Sequence, residues 1–244
     1  MKVVGWIVLG LLGLVVLFLL FLILCALPVD LNREYEDDSR FYWFLVKLNA
    51  HLGLFVGRVR VHVSGQEIVP KEGRYLLVSN HRSNFDPFVG WSRLIDDKLI
   101  YISKPSNMKV FVYGKLAHRI GCLTIDRENP RNSIKTLARA AELLKSGKRS
   151  VGVYPEGTRN RDGGLLPFHN GVFKPAQRAG VPIVVTCLSG TEKITKNLPW
   201  HHTDVWLDFI EVIPAEEVQA LRTEDIGERV RADIEKQLAL REKA

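Results

Sequence analysis

The sequence predicts an α/β fold: a mixed, mainly parallel sheet flanked by helices, with an N-terminal transmembrane helix ahead of it. Three observations carry this prediction. Val3 to Pro28 is apolar throughout, long enough as a helix to cross a hydrocarbon core of about 30 Å. Beyond it, short apolar runs of strand length alternate with segments of helical period. The polar clusters stand directly after those runs, where buried strands end and helices begin, a favoured place for chemistry in such a fold.

The first segment, residues 1–29, reads as a retained anchor rather than a cleaved signal peptide, because its apolar stretch is too long and Ala26-Leu27-Pro28 is a poor cleavage site. Asp30 to Arg40 is acidic on balance and orients the helix only weakly. Residues 30–57 form an amphipathic, interfacial segment. Phe41, Phe44, Leu45, Leu48, Leu52 and Phe55 make one helical stripe. That stripe either covers the core or lies at a bilayer surface, with Tyr42 and Trp43 at headgroup level. Residues 58–244 then carry the α/β domain.

Within that domain, Arg58 to Ser64 alternates with Val59, Val61 and Val63 on one face and reads as a strand. Pro70-Lys71-Glu72-Gly73 is a turn before the buried strand Tyr75 to Val78, and a helix starts at Pro87. Lys98 to Ser103 is a strand, Lys109 to Ile120 a helix closed by Gly121, and Cys122 to Ile125 a short strand. Asn132 is the expected N-cap of a helix with Ile134, Leu137, Ala141 and Leu144 inward. Ser150 to Tyr154, Pro182 to Leu188 and Val205 to Ile213 are further strands, and Lys174 to Arg178 a short helix before Gly180. Asp225 to Glu242 is a charged helix with Val230, Ile234 and Leu238 inward.

The chain has 244 residues, 46% of them hydrophobic, and a net charge of +7 that falls almost wholly beyond the first segment. A basic surface suits nucleic acid, anionic lipid or a phosphorylated substrate. No zinc-finger spacing or helix-turn-helix pattern is present, so nucleic acid is not expected as a partner. Cys25, Cys122 and Cys187 lack metal or redox spacing, which fits a reducing compartment and no metal site.

Candidate chemistry begins at Ser79-Asn80-His81-Arg82-Ser83-Asn84-Phe85-Asp86-Pro87. His81 can exchange a proton near neutral pH, and a tight strand-to-helix turn can fold Asp86 back onto its ring. Tyr154-Pro155-Glu156-Gly157-Thr158-Arg159 repeats the pattern after another strand. Gly157 lets backbone approach a ligand, Arg159 offers a planar fork for phosphate, Thr158 adds a hydroxyl, and Glu156 can fix Arg159 or accept from a substrate hydroxyl. Arg127, at a third strand end, emerges on the same edge if the sheet is parallel there. Lys104 is read as a plain surface residue and His169 as structural. Together these residues equip a site to take a proton from a hydroxyl on a phosphate-bearing molecule.

In this order the motifs resemble the glycerolipid acyltransferase family. Asn80, His81 and Asp86 match its N-H-x-x-x-x-D block. Gly121 and Arg127 match its second block, Glu156-Gly157-Thr158-Arg159 its third, and Val181-Pro182-Ile183 its fourth, over roughly residues 75–190. Thr124 and Val185 depart from the usual residues and touch substrate fit. The resemblance implies a membrane-bound enzyme, its catalytic domain on the cytoplasmic face. It would transfer a fatty acyl group from acyl-CoA or acyl carrier protein to the 2-hydroxyl of lysophosphatidic acid, giving phosphatidic acid. His81 would be general base and Asp86 its orienter. Arg159, with Glu156, Gly157 and Thr158, would bind the glycerol phosphate, assisted by Arg127. Backbone amides near the helix start after Asp86 would serve the oxyanion, and no cofactor or metal is implied. Alternatives are another lysophospholipid as acceptor, a thioesterase with water as acceptor, and a membrane-anchored lipid-binding protein without catalysis. The absence of a G-x-S-x-G elbow argues against a serine hydrolase.

Overall fold

The computed structural model describes residues 2–35, 37–126, 128–160 and 163–243. Two helices lead, α1 (Lys2–Ala26) and α2 (Arg40–Val56), followed by β1 (Val59–Ser64) and β2 (Leu76–Ser79). Next come α3 (Asp86–Leu94), β3 (Leu99–Ser103), α4 (Pro105–Met108), α5 (Phe111–Arg119), β4 (Leu123–Thr124) and α6 (Pro130–Lys145). The chain ends with β5 (Ser150–Val153), α7 (Lys174–Ala179), β6 (Ile183–Ser189), α8 (Ile194–Asn197), β7 (Thr203–Ile213), α9 (Ala215–Ala220) and α10 (Thr223–Glu242).

One sheet in the order β1-β7-β6-β2-β5-β3-β4 runs through the domain. The strands from β6 to β4 are parallel, while β7 is antiparallel to β6 and parallel to β1. The first residues of β1 and β7 therefore lie on the same sheet edge as the last residues of β2, β3, β5 and β6. The central strands β2 and β5 are buried at every position, as strands covered on both faces must be.

The helices differ from expectation in α2 and α6. In α2 the buried residues are Trp43, Leu45, Val46, Ala50 and Leu54, while Phe41, Phe44 and Phe55 of the predicted stripe are exposed, so the stripe as a whole does not cover the core. Trp43 is not at a surface: it is 5% exposed, donates Nε1–H to Asp38 at 2.6 Å and has the Lys98 ammonium over its ring at 4.9 Å. α6 starts three residues earlier than expected. Its N-cap is Asn129, whose side chain accepts from Asn132 N–H, while the Asn132 side chain accepts from Asp126 N–H. Thr136, Ala140, Ala141 and Leu144 form its buried face, and Ile134 points out. α10 buries Val230, Ile234 and Leu238 as expected.

α1 is long and apolar enough to cross a membrane, and its most apolar window is only 6% buried. Its C-terminal part runs antiparallel to α2. Tyr42 Oη donates to Cys25 O at 3.1 Å, and Leu19 and Leu22 face Val46 and Asn49 across a shared apolar cavity. At that register the first ten or so residues of α1 extend about 15 Å past the end of α2, beyond the edge where β2 ends.

Candidate active site

β2 delivers the first cluster to this edge. Where its ladder stops, the Asn80 side chain substitutes for it: Nδ2 donates to Leu188 O at 2.8 Å, and Leu188 N donates to Oδ1 at 2.7 Å. This buried clamp onto β6 fixes the start of the His81 loop.

The loop turns directly into α3, whose first residue is Asp86. Asp86 is fully buried, and its carboxylate is met only by donors. His81 Nδ1 lies 2.7 Å from Oδ2, which also accepts Arg82 N–H at 2.7 Å and Ser83 N–H at 2.8 Å. Thr191 Oγ1 donates to Oδ1 at 2.6 Å. The helix N-terminus adds its partial positive charge. With donors on every side of the carboxylate, Nδ1 of His81 carries its hydrogen, leaving Nε2 with a free lone pair on a ring that lines the adjacent cavity. Aromatic rings back the imidazole. Tyr154 stacks on it at 4.1 Å and 11°, and Tyr101 stacks on Tyr154 at 5.6 Å and 1°. Gly152 makes room for this column: a Cβ there would stand 2.4 Å and 2.6 Å from the Tyr101 ring. Burial pushes the Tyr154 phenol well above its ordinary range, so it stays neutral.

The second cluster is stitched to the first. Glu156 accepts His81 N–H at 2.8 Å through one oxygen and Leu166 N–H at 2.9 Å through the other, and Asn160 N donates to His81 O at 2.8 Å. Burial raises the Glu156 carboxyl against these bonds. At 3% exposed, with both oxygens engaged, Glu156 braces the two loops and does not line the cavity, contrary to the expected substrate contact. Gly157 turns the chain at φ +71°. Thr158 and Arg159 then face the cavity, and Arg159 Nη1 donates to Asn84 Oδ1 at 2.6 Å.

The cavity encloses about 330 Å³ and brings His81, Gly157, Thr158 and Arg159 together with Lys104. Lys104 is thus a cationic wall of the site rather than a plain surface residue. Arg127 lies outside the described residues. His169 sits apart, on a neighbouring apolar cavity of about 400 Å³. The backbone amides that lead into the helix start are already occupied. The amides of Arg82 and Ser83 bond Asp86, that of Phe85 bonds Ser83 Oγ, that of Asp86 bonds Ser83 O, and Pro87 has none. An apolar cavity of about 450 Å³ adjoins the site on the α1 side, and Phe88, Val110 and Tyr113 line both.

Sequence reasoning missed Thr191, because nothing local links it to a carboxylate 105 residues away. The one signal is Gly190, held at φ +90° where a Cβ would meet Asp204 O at 2.3 Å, which marks a forced turn.

A strand-edge histidine held by a helix-start carboxylate, facing an arginine across one cavity, defines an acyltransferase-type domain. The Acyltransferase family model matches residues 60–189. The chain belongs to the glycerolipid acyltransferase family and is an O-acyltransferase. Among its relatives, the Escherichia coli K12 1-acyl-sn-glycerol-3-phosphate acyltransferase is 32% identical over 70% of this chain and 73% of its own. The mouse 1-acyl-sn-glycerol-3-phosphate acyltransferase alpha is 28% identical over 84% of this chain and 71% of its own. The crystal structure of the 1-acyl-sn-glycerophosphate (LPA) acyltransferase PlsC from Thermotoga maritima superposes with TM-score 0.69 at 21% identity, covering 83% of this chain and 80% of that one, and so shares the fold.

Proposed function

We propose that this protein transfers a fatty acyl group from an acyl thioester to the 2-hydroxyl of 1-acylglycerol 3-phosphate, forming phosphatidic acid in phospholipid biosynthesis. The observation that carries the reading is the 2.7 Å His81–Asp86 bond in a cavity shared with Arg159 and Lys104. His81 Nε2 takes the hydroxyl proton as the oxygen attacks the thioester carbonyl, and Asp86 balances the imidazolium. Collapse of the tetrahedral intermediate breaks the carbon–sulfur bond, and the thiol leaves with the proton from Nε2. No covalent enzyme intermediate is needed. Arg159 and Lys104 hold the phosphate, with Arg127 as a further cation, and Gly157 and Thr158 shape the turn that presents it. The apolar cavity beside Phe88 and Tyr113 receives an acyl chain. The donor is acyl-CoA or acyl carrier protein. α1 anchors the protein in a membrane with the exposed Phe41, Phe44 and Phe55 at the lipid interface and the catalytic domain on the cytoplasmic side.

The test is a panel of lysolipid acceptors and labelled acyl donors with purified full-length protein, read by mass spectrometry. Phosphatidic acid from 1-acylglycerol 3-phosphate is the expected main product. His81→Ala should abolish it with the fold intact, and Arg159→Ala should raise the acceptor KM at least about tenfold. Donor consumption without added lysolipid would instead mark a thioesterase.

A further inference from the structure

Of the exposed apolar side chains outside α1, five stand along the edge that carries His81. Phe55 and Val56 end α2 beside the start of β1, Val110 and Phe111 follow β3, and Trp200 precedes β7. Trp200 is the most exposed of these, at 80%. It tips the segment between β6 and β7, which begins at Thr191 on the Asp86 carboxylate and carries the exposed lysines Lys193 and Lys196. Nearby acidic groups are matched: Glu192 lies 3.9 Å from Arg82, and Asp204 bonds His62 at 2.7 Å. The segment is tied to the end of α2, since Thr203 N donates to Arg58 O at 3.1 Å and Arg58 Nη2 lies 3.1 Å from His202 Nε2. It therefore continues the Phe55–Val56 surface, past which the free end of α1 projects.

We infer that the β6–β7 segment is a second membrane-docking element, seating Trp200 among the headgroups of an anionic bilayer and turning the His81 cavity toward the lipid surface. The chemistry fits a membrane: an indole at the water–lipid boundary, lysines for anionic headgroups, and an apolar neighbour to bury. The inference rests on the membrane-substrate reading above, so its test separates the two.

The probe is a vesicle of phosphatidylcholine and phosphatidylglycerol, with the phosphatidylcholine brominated near the head of one acyl chain. The protein is the full chain carrying Trp6→Phe, in which Trp43 and Trp91 are buried, Trp206 is half-buried against His62, and Trp200 is the one largely exposed indole left. The Trp200 component is the emission removed by a further Trp200→Phe change. It should be quenched about twofold or more on anionic brominated vesicles, and less by Lys193→Ser/Lys196→Ser protein. Trp200→Ser should lower turnover of vesicle-borne acceptor several-fold and leave turnover in detergent micelles unchanged. An unquenched Trp200 component on protein that still acylates lysolipid would overturn the docking and spare the enzymatic reading. Quenching on protein that acylates no lysolipid would do the reverse.

Discussion

Asp86→Asn isolates the charge on the carboxylate from its shape. The amide is isosteric. Its oxygen can take the place of Oδ2, which now accepts from His81 Nδ1 and the amides of Arg82 and Ser83, while its NH2 group faces Thr191 Oγ1. That hydroxyl can turn from donating to accepting, which satisfies one amide hydrogen and leaves the second, and the hydroxyl's own, to cost stability that a thermal melt reads separately from kcat. What disappears is the negative charge beside a ring that becomes an imidazolium as the acceptor hydroxyl is deprotonated. The pair is buried and its bonded atoms are 2.7 Å apart. Taking the charge centres at about 4 Å and an effective dielectric near 20 gives about 4 kcal/mol. At about 1.4 kcal/mol per decade, kcat should fall about a thousandfold, with acceptor KM little changed. The assay is the initial rate of thiol release at saturating lysolipid, alongside a thermal melt to confirm folding. A folded Asp86→Asn protein that loses less than about tenfold in kcat would show that His81 gains no positive charge in the rate-limiting step, and the base assignment would fall.

Thr191→Val removes the hydroxyl that bonds Asp86 Oδ1, a bond to a charged group worth about 1.5–3 kcal/mol; kcat should drop roughly tenfold with KM unchanged, and Thr191→Ser should restore most of it. Gly152→Ala drives a methyl into the Tyr101 ring beneath the Tyr154–His81 stack. Overpacking of about 1–3 kcal/mol should lower Tm by about 2–4 °C per kcal/mol in differential scanning calorimetry. Asp233, on α10, has its carboxyl pushed up to about 6 by burial and by the neighbouring Glu211. A raised carboxyl favours the protonated folded state, so its stabilising effect is present at low pH and lost as pH rises through about 6. Asp233→Asn should therefore raise Tm at pH 7–8 and leave it unchanged near pH 4, by at most about 1 kcal/mol because the group is largely solvated.

Local chemistry was legible in the sequence where a short segment contains its own partner. His81 and Asp86 meet because strand, turn and helix start are contiguous, and Gly157 and Arg159 follow their strand in the same way. Thr191, Asn84 and Lys104 were not legible as site residues, because their neighbours arrive through β6, through the Arg159 loop and across the cavity. The reversal of β1 and β7 was equally hidden: alternation marks a strand but not its direction. The displaced stripe of α2 has a different cause. Ranking faces by apolarity finds the greasiest side, which faces the core only when water lies opposite. Here α3 and α5 pack on α2, whose Trp43, Val46, Ala50 and Leu54 are buried, and the phenylalanines are left outside. A helix with two apolar faces, one packed and one bare, fits a bilayer boundary better than an aqueous surface.

The acidic segment between α1 and α2 shows how a charge pattern can mislead about topology. Taken as a flank, it weighs weakly on which way α1 points. In the fold three of these charges are paired with the domain itself: Asp37 with Arg119 at 2.6 Å, Asp38 with Lys98 at 3.2 Å and Arg149 at 3.4 Å, and Glu34 with Arg139 at 3.4 Å. Arg119 holds the Asp37 carboxyl below its usual range. His118 and Lys115 add bonds to the backbone carbonyls of Arg33 and Leu27. Each exposed pair is worth little alone, but together they clamp the base of α1 to the sheet edge opposite His81. With its base held there and its packed part alongside α2 and α5, α1 can leave the protein only past the active-site edge. The free end of α1 and the cavity mouth then share a direction, so under the proposed function a lysolipid in the leaflet that holds α1 would meet His81 without first leaving the membrane.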